Sequence, residues 1–132
     1  IVGTIKMIKN INSSEIKKFI EENSSVELLD VRTPQEWENV GRPDGDKLGI
    51  KTHFITIERN PDGNISENFL KNVKDKIIKD KELLIICQAG GRSMLASQLL
   101  SNENYKCINI SDGFEGNGSE PGWLSTGLPS II

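Results

Sequence analysis

Glu82-Leu83-Leu84-Ile85-Ile86-Cys87-Gln88-Ala89-Gly90-Gly91-Arg92-Ser93 is the stretch whose reading decides the fold. Glu82 to Cys87 reads as a strand, and its continuous apolar run Leu83-Leu84-Ile85-Ile86 is the pattern of one buried on both faces. Gly90-Gly91 then breaks the run. Ser93 to Ser101 follows as a helix, with Leu95 and Leu99 on one face. Beyond it Lys106 to Ile110 reads as another strand. A strand, a Gly-rich turn, a helix and a second strand make a parallel crossover unit.

The same alternation extends toward both termini. Val26 to Val31 (VELLDV) is a buried strand and His53 to Ile57 a further one, while Ile5 to Ile8 alternates weakly as an edge strand. Asn12 and Glu15 form a capping box ahead of Ile16, Phe19 and Ile20 at helical spacing. Thr33-Pro34-Gln35-Glu36 starts a helix with a Thr cap, Pro at the first position and Glu at the third. Ser66 caps a helix whose inner face is Phe69, Leu70, Val73 and Ile77. Trp123 and Leu124 sit in a last short helix, stopped by Gly127 and Pro129. Gly41 to Gly49 is rich in turn residues and reads as a loop. The expected fold is α/β: a central, mainly parallel five-stranded sheet with helices on both faces, in one domain over 1–132 with its core at about 11–129.

Bulk properties narrow the function. The 132 residues carry 36% hydrophobic content and a net charge of −3 with both signs interspersed, so no basic patch points to nucleic acid. No apolar run approaches the ~20 residues of a membrane helix. Two cysteines and one histidine are too few for a structural zinc site, and no disulfide framework is expected. The chain starts at Ile1 rather than Met, which reads as processing or trimming. The expected compartment is the cytoplasm or, if a signal peptide preceded Ile1, the periplasm.

The chemistry is expected at the carboxyl ends of the strands, where open parallel sheets bind ligands. Asp30-Val31-Arg32 closes one strand there and Cys87 another. A cysteine facing a helix start meets unsatisfied backbone N–H groups and the positive end of the helix dipole, both of which favour the thiolate. Gly90 and Gly91 let the loop curl with positive φ and turn its amides inward. Arg92 adds a fixed cation, and Ser93 caps the helix or donates a hydrogen bond to sulfur. Cys87 with Gln88, Ala89, Gly90, Gly91, Arg92 and Ser93 thus makes a cradle for one anionic atom. A lone strand-end cysteine would more often be inert core, and Cys107, inside a strand with no Gly-rich turn after it, is read that way. The two cysteines cannot pair: they sit at opposite sheet edges, ~16 Å apart along five residues of strand, against a limit of ~7 Å between Cα atoms.

Three motifs in order resemble the rhodanese-like family. Cys87, four residues, then Arg92-Ser93 resembles its active-site loop. Asp30-Val31-Arg32 with Glu36-Trp37 resembles its earlier motif, and Gly113-Phe114 with Gly122-Trp123 and Gly127-Leu128-Pro129 its C-terminal one. The likeness runs from about Ile11 to Pro129. It implies a sulfurtransferase in which Cys87 takes a sulfane sulfur from a small anionic donor, thiosulfate or polysulfide, and passes it to cyanide, a thiol or a protein, without metal or organic cofactor. Asp30, Arg32 and Glu36 are expected to form an ion-pair network that holds the loops. Trp37 is expected as a core or cover residue and His53 as structural. The chain departs from the family at Gly41 to Gly49, where Arg42 stands in place of the usual His, and Arg42 is read as a solvated loop residue. The Gly-rich segment from Ser111 to Trp123 is expected to be a mobile rim shaping acceptor access. Two other readings compete with this one. A dual-specificity-type phosphatase would have five residues between Cys and Arg, not four, and a non-catalytic binding module of the same fold typically lacks the cysteine.

Overall fold

The computed structural model describes residues 7–132. Its strands are β1 (Lys9–Ile11), β2 (Val26–Asp30), β3 (Arg42–Pro43), β4 (Lys51–Phe54), β5 (Glu82–Ile86), β6 (Lys106–Ile110) and β7 (Ser130–Ile131). Its α-helices are α1 (Ile16–Glu22), α2 (Pro34–Val40), α3 (Glu67–Lys76), α4 (Gly91–Asn102) and α5 (Gly122–Ser125). Five strands form one sheet in the order β1-β6-β5-β2-β4, and every ladder in it is parallel. None of the described helices is long and apolar enough to cross a membrane.

The central position of β5 follows from its composition. Leu83, Leu84, Ile85 and Ile86 are all fully buried, because both faces of the sheet are covered. Strand alternation sends Leu83, Ile85 and Cys87 toward one core, with Phe69 and Val73 of α3 and Ala96 and Leu100 of α4. Leu84 and Ile86 face the other, with Ile16 of α1, Phe114 and Trp123 of α5. The expected α/β architecture is the one observed.

Local differences have local causes. The edge strand is Lys9–Ile11 rather than Ile5 to Ile8. Residues 5 and 6 lie outside the described residues, and Met7 and Ile8 are not in a strand. Pairing of Ile11 with Ile110 brings a side chain only 5% exposed into the core. The strand expected at His53 to Ile57 ends at Phe54, but Ile55 and Ile57 still donate to Asp30 O and Val31 O at 3.0 Å each, so the chain stays extended and both side chains are buried. Gly41 to Gly49 is not all loop. It contains β3, antiparallel to β7, and a 3₁₀ turn at Gly45–Leu48. Gly41 permits this with φ +105°, at a point where a Cβ would come within 2.8 Å of Ile131 O.

Candidate active site

Parallel register places the two candidate groups at one edge of the sheet. Asp30 pairs with Ile86, and Val31 N–H donates to Ile86 O at 3.0 Å, so Val31-Arg32 and Cys87 emerge side by side. The side chain of Cys87 is 1% exposed and packs in the α3–α4 core. Its sulfur nevertheless meets polar groups. Gly90 N–H donates to Cys87 Sγ at 3.1 Å, and Ser93 Oγ lies 3.2 Å from it. Ser93 Oγ is also 3.1 Å from Gly90 O. A hydroxyl has one proton to give. With a neutral thiol it can donate to Gly90 O and accept from S–H, and with a thiolate it can turn its proton to the sulfur.

The glycine that shapes this loop is Gly90. It adopts φ +103° as the N-cap of α4, and a Cβ there would lie 2.2 Å from Ser111 O. The helix therefore begins at Gly91, two residues earlier than the expected Ser93, and Ser93 bonds the sulfur and Gly90 O from inside the first turn rather than as the cap. Amides in that turn have no intrahelical acceptor. Ala89 and Gly91 are exposed, and a Cβ on Gly91 would meet nothing within 4 Å. The outer residues of the loop thus face solvent while the sulfur beneath them is buried.

Ion pairs hold the rim, in two separate units rather than one. Arg32 is fully buried. Its Nε donates to Asp30 Oδ1 at 3.1 Å and its Nη2 to Asp30 Oδ2 at 2.9 Å. Nη2 also reaches Gly41 O at 2.9 Å and Nη1 reaches Gln88 Oε1 at 3.0 Å, while the guanidinium lies 4.3 Å from the ring centroid of Phe114. One side chain thereby ties the end of β2, the end of α2 and the cysteine loop. Glu36 does not join it. From the first turn of α2, Glu36 accepts from Arg92 Nη1 at 2.6 Å and Nη2 at 2.7 Å, a bidentate pair. Those bonds, with smaller help from Thr33 and against partial burial, hold the Glu36 carboxyl at about 2, below its ordinary 4.5. The same bonds, against partial burial and with the Coulombic attraction of Glu36, keep Arg92 more firmly protonated.

Two residues of the rim, Asp112 and Glu115, escaped the sequence reading. Phe114 N–H donates to Cys87 O at 2.8 Å and Glu115 N–H to Gln88 O at 3.1 Å, so the chain after β6 runs bonded along the cysteine loop. The carboxylate of Glu115 accepts from Gln88 Nε2. Gly113 makes the approach possible: a Cβ there would sit 2.4 Å from Gln88 O. Buried Asp112 braces the base of the segment, accepting from Ser13 N and Oγ and from Gly122 N, each at 2.9 Å. The Gly113-Phe114 motif marked the place, but nothing near it in sequence marked its partner. The segment expected as a mobile rim is braced at both ends, with Trp123 N–H on Gly113 O at 2.9 Å and Leu124 N–H on Phe114 O at 3.0 Å.

Other candidates lie outside this constellation. His53 Nε2 is 2.7 Å from Glu27 Oε1 within the β2–β4 pair. Trp37 packs edge-on against Phe54, with centroids 5.2 Å apart. Arg42, half-buried in β3 rather than solvated, has its guanidinium 6.0 Å from the Phe54 ring centroid. Cys107 is half-buried at the margin of the core, and neither cysteine is in a disulfide. Among the described residues no cluster of three or more His, Cys, Asp or Glu side chains is placed to hold a metal.

Comparison with known proteins agrees with this architecture. The family model described as "STR4 middle domain" matches residues 9–132. An uncharacterised protein of Rickettsia prowazekii is 38% identical over 124 residues, 93% of this chain and 97% of that one. A protein of Allochromatium vinosum named a sulfurtransferase is 26% identical over 126 residues, 95% of this chain and 96% of that one. The crystal structure of Rv0390 from M. tuberculosis superposes with a TM-score of 0.78 at 28% identity, covering 96% of this chain and 98% of that one. Solved rhodanese-like domains share the fold. With a match across nearly its whole length and a five-stranded parallel sheet of the same kind, the chain belongs to the STR4 middle-domain family and has the rhodanese-like fold.

Proposed function

We propose that this chain is a sulfurtransferase that carries sulfur as a persulfide on Cys87. The observation behind the proposal is the sulfur itself, at the end of β5 and the start of α4, with Gly90 N–H at 3.1 Å and Ser93 Oγ at 3.2 Å. Relatives named sulfurtransferases support the reaction class.

In the first half-reaction the Cys87 thiolate attacks the sulfane sulfur of the donor. A new S–S bond forms on Cys87, the donor's own bond to that sulfur breaks, and the leaving group departs with the electron pair: sulfite from thiosulfate, a shortened chain from a polysulfide. The outer sulfur then carries the negative charge. The amides at the start of α4, which have no acceptor within the helix, are the groups suited to bond it. In the second half-reaction a cyanide, thiol or protein nucleophile attacks that outer sulfur and regenerates the thiolate. Ser93 follows the charge by turning its proton between Gly90 O and the sulfur. Arg32 and the Glu36–Arg92 pair keep the loop in shape and touch no reacting atom. With Arg92 engaged by Glu36 and four residues between Cys87 and Arg92, the loop suits one sulfur atom better than a phosphoryl group.

Mass spectrometry after incubation with thiosulfate or polysulfide tests the proposal. The expected product is one added sulfur atom, removed by cyanide and absent in Cys87→Ser. A folded wild-type protein that gains no sulfur from either donor would overturn it.

A further inference from the structure

We propose that Glu115 selects the donor, turning the site away from dianionic thiosulfate and toward an organic persulfide of low charge. This rests on the sulfurtransferase reading. It starts from the charges around the loop. Among the described residues, the cations bonded to the loop or belonging to it are Arg32 and Arg92, and each is engaged by a carboxylate. Arg32 is closed on Asp30 with neither side chain exposed, and Arg92 is held by both oxygens of Glu36. Neither is left without a carboxylate that compensates its charge. Glu115 then adds a third carboxylate with no cation opposite it. Its side chain is exposed and accepts from Gln88, the first residue of the loop after Cys87.

This charge is not on a loose tail. Glu115 N–H donates to Gln88 O, Phe114 N–H to Cys87 O, and Gly113 approaches so closely that no side chain fits there. Asp30, Glu36 and Glu115 against Arg32 and Arg92 leave the side chains bonded to the loop and its two cations with an excess of one negative charge, and a thiolate on Cys87 adds to it. A doubly charged donor entering such a site is repelled, and the repulsion weakens as salt screens it. For a persulfide R–S–SH the chemistry balances without an added oxidant or reductant. Cys87 thiolate attacks the outer sulfur, the donor S–S bond breaks, and R–S⁻ leaves with the electron pair while the outer sulfur stays on Cys87.

The test compares thiosulfate with 2-hydroxyethyl persulfide, which carries at most one negative charge. The readout is the rate of sulfur addition to Cys87 by mass spectrometry, at low and at physiological ionic strength. The expected results are faster loading from the persulfide and thiosulfate loading that speeds up as salt rises. Glu115→Gln keeps the acceptor for Gln88 and removes the charge. It should raise the thiosulfate-to-persulfide rate ratio about fivefold and flatten the salt dependence, the size expected for one charge acting through water on a dianion. Glu115→Asp, which keeps the charge, should restore the wild-type sign of the salt effect. Faster loading from thiosulfate in wild type, slowed by salt and unaltered by Glu115→Gln, would overturn the inference and leave the persulfide mechanism standing. Loading from neither donor would overturn both.

Discussion

Neutralising Glu36 tests whether the bidentate pair across the loop stabilises the fold. Glu36→Gln is the informative change because glutamine still serves the capping box with Thr33, so helix α2 keeps its start. What is removed is the charge facing Arg92. A carboxyl held at about 2 rather than 4.5 corresponds, at face value, to about 3 kcal/mol. The two side chains are 35% and 24% exposed, so water screens the pair, and the expected loss is about 1–2 kcal/mol. That corresponds to a fall of about 4–8 °C in Tm for a domain of this size. The sign with pH is fixed by the direction of the shift. A carboxyl lowered in the folded state contributes fully above its unfolded value of 4.5 and loses that contribution as pH falls toward 2. Urea unfolding of wild type and variant from pH 7 to pH 3 should therefore give a constant gap down to about pH 5 and a shrinking one below. Equal stability at pH 7, or a gap undiminished at pH 3, would refute the assignment of the shift to this pair. A cycle with Arg92→Met isolates the coupling, which should vanish in the double variant.

Arg32→Met should destabilise by about 3–5 kcal/mol in denaturant titration, because it strands the buried Asp30 carboxylate. Asp30→Asn added to it should recover part of that loss, and no recovery would place the cost in the lost bonds to Gly41 and Gln88 instead. Gly90→Ala should cost more than about 2 kcal/mol by the same measurement, since a side chain at φ +103° costs about 1–2 kcal/mol before the clash with Ser111 O is counted. Gly91→Ala, with open space around the new Cβ and a helical position to occupy, should be neutral or stabilising by up to about 1 kcal/mol.

The legible part of the protein is the part written in local patterns. The apolar-rich stretch at 26–31 and the continuous apolar run at 83–87 read as strands covered on both sides, and the Thr33 and Ser66 caps marked helix starts that the structure keeps within a residue. A cysteine followed by two glycines and Arg-Ser located the loop, because strand, turn and helix there are contiguous in the chain. Positive φ is expected of both Gly90 and Gly91 from the turn they make; Gly90 has it, whereas Gly91 has already entered α4 and does not.

What tertiary structure alone decided is who meets whom. Which carboxylate engages Arg92 depends on α2 and α4 arriving at the same sheet edge, and side chains 56 positions apart leave no periodic trace. The brace of 113–115 on 87–88 and the grip of Asp112 on Ser13, 99 residues away, are of the same kind. The short β3–β7 pairing arises only once residues 41 and 131 are brought within contact. Charge identity is a property of residues and can be read from them. Charge compensation is a property of distance, and distance between far-separated residues exists only in the folded chain.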